Sequence, residues 1–187
     1  MLSTNIKEAT KAAHQDLEKK VVLKLKAIRS NEDYADLLKH FYAYFGAVEK
    51  AIADFITVDV LPDYLDRRHA SALKQDIENL CGDATDLPQV TVPEITNTLQ
   101  ALGALYVMEG SIMGGGIIVQ MLAKGGITEG VSFFSGYGAA TGEMWGKFVG
   151  VMNANGQSET EQQQVIDSAN DTFAQFSEVF GAVKVFQ

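Results

Sequence analysis

The stretch "LGALYVMEGSIMGGGIIVQML", residues 102–122, decides how this chain is read. Its apolar content is that of a buried helix, yet it holds five glycines, Gly103, Gly110, Gly114, Gly115 and Gly116. Each glycine in a helix interior costs about 0.5–1 kcal/mol relative to alanine, against a net fold stability of about 5–15 kcal/mol. Gly103, Gly110 and Gly114 are spaced seven and four apart, which sets them on one side of a helix, and Gly115 and Gly116 widen that bare face. Two helices packed in water rarely need three consecutive glycines at their contact. A flat, rigid ligand does, because its face lies directly against peptide backbone, and the glycines also let the helix bend where the ligand rests.

On either side the pattern is helical throughout. Ser3, Thr4 and Asn5 offer N-caps, Glu8 completes a capping box with Asn5, and an amphipathic stripe follows through Ile6, Ala9, Ala13 and Leu17. A second helix begins after Ser30 and Asn31 and carries Tyr34, Leu37, Leu38, Phe41, Phe45, Val48 and Ile52. "VLPDYLD" breaks it, and "HASALKQDIENLCG" predicts a short helix closed by Gly82. After the loop "DATDLPQVTVP", the glycine-rich helix runs from about residue 94 to 126. Two more follow, from about 137 to 153, and from Ser158, with Glu161 three residues on, through Val165, Ala169, Thr172, Phe173 and Phe176. The expectation is one all-α domain over residues 1–187, of six or seven helices.

Composition bounds the function. Apolar content of 47% and a single cysteine, Cys81, describe a globular chain without an internal disulfide or a cysteine metal cluster. No apolar signal core opens the sequence and no run of 18 apolar residues spans a membrane, so a cytoplasmic protein without membrane insertion is expected. The net charge is −9, but residues 1–30 hold seven Lys or Arg against three Asp or Glu, leaving −13 on the rest. That asymmetry argues against nucleic acid and leaves one basic end for an anionic ligand or an acidic partner. No phosphate loop, nucleophile elbow, zinc spacing or Glu-x-x-His repeat is present. Cys81 has no nearby basic residue to activate it, which disfavours a thiol enzyme.

His14 falls on the inward stripe formed by residues 6, 10, 13, 14 and 17. Lys11 and Lys7 lie one and two turns back on the adjoining strip, where a molecule touching His14 could present anionic groups to both. An imidazole on one helix facing glycine-lined backbone on another suits a planar iron macrocycle. His40 and His69 receive no role, and "RRHA", residues 67–70, is read as a basic surface turn.

The segments "IKEATKAAHQDLE", "LGALYVMEGSIMGG" and "FFSGYGAATGEMWGKF" resemble the bacterial, biliverdin-producing haem oxygenases, closest to the branch found with bacterial phytochromes and in some haem-uptake systems. The resemblance covers residues 6 to about 176. It implies a multihelical bundle with haem, both cofactor and substrate, between a proximal helix and a kinked glycine-rich distal helix. It also implies O2- and electron-dependent opening of the ring to biliverdin, CO and ferrous iron, with a ferredoxin or flavin reductase as electron donor. Carried over by position, His14 matches the iron ligand, and Gly110 and Gly114 match the distal glycines that admit close backbone approach. Lys7 and Lys11 match basic positions near the propionates, and Glu109 matches an acidic residue of the "EGS" form. Tyr106, Gly115 and Lys147 complete the expected haem-binding set.

Two positions depart from the family pattern. Ser111 stands where many members carry an aspartate that orders distal water, and it is read as a variant water organiser. Gly146 and Gly150 stand where animal members anchor propionates, leaving Lys147 as the cation of that segment; Trp145 is read as core. The alternative reading is a haem carrier or sensor that has lost turnover. The basic residues Lys19, Lys20, Lys24, Lys26 and Arg29 form an expected docking patch for an acidic electron donor.

Overall fold

The computed structural model describes residues 1–181, except for the side chain of Cys81, so the expectation for that thiol lies outside the described residues. Among the described residues seven α-helices follow one another: α1 (Leu2–Ala9), α2 (Lys11–Ala27), α3 (Asn31–Ile52), α4 (Ala70–Cys81), α5 (Thr98–Lys124), α6 (Thr141–Asn155) and α7 (Glu159–Val179). Single 3-10 turns sit at Tyr64–Asp66 and Gly138–Ala140, and no strand occurs among the described residues. The chain is all-α, as its periodicity predicts.

Several helix ends follow directly from side-chain chemistry. Ser30 accepts from the Asp33 amide ahead of α3, Ser158 and Glu161 form the predicted capping box of α7, and Gly82 closes α4 in the left-handed region at φ 73°. Three ends differ from expectation. The first helix is two: Thr10, at φ −98° and ψ −1°, turns its hydroxyl back onto the Ile6 carbonyl at 2.7 Å, and the chain bends there into α2. The Asn5–Glu8 capping box is absent, because α1 already starts at Leu2 and the Asn5 amide donates to Gln162 at 2.7 Å. Helix α5 starts at Thr98, not near 94, because Asn97 caps it by accepting from the Gln100 amide at 2.9 Å.

Helix α7 runs through the middle of the bundle and packs on α1, α2, α3 and α5. Its Phe176 stacks on Tyr44 at 4.6 Å and meets Phe41 and Phe45 edge-on or tilted at 5.0 and 4.9 Å. The Tyr44 hydroxyl donates to the Thr172 carbonyl at 2.7 Å, so the buried phenol is satisfied while it ties α3 to α7. On the other side of α3, Tyr34 donates to the Gly130 carbonyl at 2.6 Å and fixes the α5–α6 connection. The buried carboxylate of Asp76 accepts from the Ser132 hydroxyl and the Phe133 amide at 2.6 and 2.8 Å in the same connection.

Helix α5, with a mean hydropathy of 1.5 over its most apolar window, is long and apolar enough to cross a membrane by length and composition alone. Half of that window is buried, which is the pattern of a core helix. Its glycines do not form one bare face. An added Cβ at Gly103 would strike the Val165 carbonyl and stand 2.9 Å from the Ser168 Cβ, and one at Gly115 would strike the Phe134 carbonyl. At Gly114 and Gly116 it would meet nothing within 4 Å, and at Gly110 only the Trp145 ring at 3.9 Å. Helix α5 runs continuously from Thr98 to Lys124, and none of these five glycines has a positive φ.

Candidate functional site

Helices α2 and α5 approach each other at two levels. Near their N-termini the Tyr106 hydroxyl bonds to Thr10; farther on, Leu25 and Ile28 line one groove with Met121 and Leu122. Between these levels the two helices present the expected residues. Phe173 of α7 forms part of the floor: its ring lies 5.3 Å from the His14 imidazole and 6.4 Å from Tyr106. Tyr106 reaches Trp145 at 5.8 Å, and Trp145 is the neighbour of Gly110. An unbroken run of rings therefore joins the imidazole of α2 to the bare backbone of α5.

The exposed parts of this cleft are unusual for their elements. His14 is exposed, although Ile6, Thr10 and Leu17 of its stripe are buried. On α5, Met113 is 56% and Ile117 64% exposed, one and two turns beyond Gly110, on a helix otherwise rich in core residues. An apolar strip bordered by open glycines and faced by an imidazole is a surface that a flat apolar ligand would cover.

The remaining predicted residues are distributed unevenly. Lys7 and Lys11 are exposed on α1 and α2 beside His14. Tyr106 and Trp145 are half-buried and pack against the core, as read for Trp145, and the Trp145 ring also stands nearest Gly110. Gly115 does not belong to the site, because its missing side chain makes room for the Phe134 carbonyl. Lys147 lies two residues after Trp145, about 200° around α6, and is paired with Glu143 at 2.8 Å. The basic docking patch is partly neutralised: Lys24 pairs with Asp36 at 2.6 Å, Lys20 lies 3.9 Å from Asp16, and Arg29 donates to the carbonyls of Lys26 and Ile28.

The chain matches the heme oxygenase family over residues 1–182. The chain belongs to that family. It is 27% identical over 147 residues to a heme oxygenase of Xanthomonas campestris pv. campestris (strain 8004), an alignment covering 78% of this chain and 87% of the relative. A heme oxygenase structure from Leptospira interrogans has the same fold, with a TM-score of 0.73 at 16% identity, covering 96% of this chain and 98% of that one. Membership supports a haem-degrading oxidoreductase. The residues present fit haem: at Gly110 and Gly114, on one face of α5, no side chain fills the space beside the backbone, and the His14 imidazole is exposed and free of ion pairs.

Behind the cleft lies a polar cluster that the sequence reading missed. Arg67 and Arg68, expected at the surface, turn inward beneath α5. Arg67 is 3% exposed and bonds to Asp63 at 2.8 Å, to Glu109 at 2.8 Å and to the Met144 carbonyl at 3.0 Å. Burial disfavours its charge, but the bonds to Asp63 and Glu109 outweigh that and raise its pKa. Tyr137 donates to Glu109, accepts from the Arg68 amide at 2.9 Å, and is pushed up to about 12 by burial and by Glu109. Arg68 donates to Ser111 at 2.7 Å, and the Ser111 hydroxyl in turn donates to the Met108 carbonyl at 2.6 Å. With its one proton engaged there, Ser111 keeps one lone pair, with which it can accept from a distal water. The signal available in sequence was Glu109, an acidic residue inside an apolar helix, which needs a buried cation.

Proposed function

We propose that the chain opens haem in an O2- and electron-dependent reaction that releases biliverdin, CO and ferrous iron. The observation that carries this reading is the exposed His14 imidazole set across a shared aromatic floor from the open backbone at Gly110 and Gly114. Bound haem supplies the redox-active iron and the conjugated ring that is itself oxidised. His14 holds the iron through a ring nitrogen, with Phe173 against the imidazole restricting its rotation. Tyr106, Phe173 and Trp145 exclude water from the floor. Gly110 and Gly114 leave no side chain on this face of α5, so a ring lying there would meet peptide groups alone. Lys7 and Lys11 hold the propionates as exposed cations. The donor, of the ferredoxin or flavin-reductase class, meets the exposed Lys19 and Lys26 of α2, and the reading takes the protein to be cytoplasmic, within the phytochrome-associated or haem-uptake branch.

The test is optical. Haemin added to the wild type gives a Soret band that His14→Ala shifts or weakens; ferredoxin with its reductase, in air, then replaces that band with the broad absorption of biliverdin while CO is trapped. A Soret band that persists under reduction and O2 would overturn turnover and select the haem carrier or sensor. No Soret band in the wild type would overturn the whole reading.

A further inference from the structure

The two adjacent arginines beneath α5 are matched very differently. Arg67 faces two carboxylates, whereas Arg68 forms no ion pair among the described residues. Its guanidinium lies 3.7 Å over the Phe133 ring, and it donates to the carbonyls of Phe133 and Met108 and to the Ser111 hydroxyl. Its Nε is buried with no acceptor. The neighbouring carboxylate of Glu109 is engaged by Arg67 at 2.8 Å and by the Tyr137 hydroxyl at 3.1 and 3.2 Å. Burial lowers the pKa of Arg68 only to about 10, so it stays charged at neutral pH.

Two of its acceptors, Met108 and Ser111, bracket Gly110, and a fixed charge in such a dry place acts over a longer range than in water. We propose that Arg68 is a positioning residue of the distal face: it holds Ser111 from behind and biases the open backbone at Gly110 toward anionic ligands. This rests on the haem-binding reading above. The positive character of this side of α5 then comes from Arg68, which holds Ser111 by donating to its hydroxyl oxygen.

The haemin complexes of the wild type, Arg68→Met, Arg68→Gln and Ser111→Ala would be titrated with azide, an anionic probe, and with imidazole, a neutral one, each followed by the Soret band. Arg68→Met should weaken azide on the order of tenfold and leave imidazole within about twofold, as expected for loss of a charge in low dielectric. Arg68→Gln keeps donors for Ser111 and loses the charge, so it should give the same selective loss, and it serves if Arg68→Met does not fold. Ser111→Ala should weaken azide less than either. Parallel changes for azide and imidazole, or no change, would overturn the proposal by leaving Arg68 only a packing role. A wild type that forms no haemin complex would instead overturn the haem-binding reading.

Discussion

Gly103 and Gly115 on one hand, and Gly110 and Gly114 on the other, are the same residue in the same helix with opposite surroundings. The first two lie against backbone carbonyls of Val165 and Phe134; the second two border open space. Within a single helix, bare backbone thus serves close packing at two glycines and lies open at two others. The difference is set by what lies opposite: α7 and the α5–α6 connection cover the first pair, while only Trp145 approaches the second. A helix can carry glycines for both reasons without any change in their spacing.

The largest expected effect lies at the hinge between the two kinds of glycine. Glu109→Ala leaves the buried Arg67 with Asp63 alone and should cost about 3–5 kcal/mol, read as a lower denaturation midpoint of the haem-free protein. An unchanged midpoint would mean that the pair does not hold the back of α5. Next, Gly115→Ala sets a Cβ against the Phe134 carbonyl and should cost about 1–3 kcal/mol, lowering Tm by about 2–4 °C per kcal/mol for a chain of this size. If thermal scans found Gly115→Ala as stable as the wild type, the division of the glycines would collapse. Gly110→Ala should behave in the opposite sense: its Cβ has room at 3.9 Å from Trp145, and better helix propensity should add about 0.5–1 kcal/mol while haem turnover falls. The smallest effect is expected for Lys147→Ala, within about 0.5 kcal/mol in stability, with haemin affinity unchanged because that lysine is directed to Glu143.

Periodicity made most of the fold legible. The stripe of α3 from Tyr34 to Ile52, the capping box at Ser158 and the stop at Gly82 all follow from local chemistry that the sequence displays. The split at Thr10 was not legible, because threonine is acceptable inside a helix and only its hydroxyl bond to Ile6 reveals the bend. In the candidate site, His14, Tyr106, Gly110 and Gly114 could be chosen from spacing and resemblance; the rings of Phe173 and Trp145 connect the first three, and Gly114 lies one turn beyond Gly110 on the same face of α5. Gly115 and Lys147 could not be excluded by spacing, since a Phe134 carbonyl and a Glu143 side chain decide their surroundings. Arg67 and Arg68 were invisible for a related reason. A charged dipeptide in a proline-broken loop reads as surface until a partner such as Glu109 is known to lie beneath it.

The most direct test fills the open glycine position itself. Haemin titration of Gly114→Leu, followed by the Soret band beside the wild type, should show binding lost or much weakened, with the haem-free protein folded and its Tm not reduced. A Gly114→Leu protein that binds haemin as tightly as the wild type would contradict the claim that the bare backbone of α5 forms one wall of the haem site.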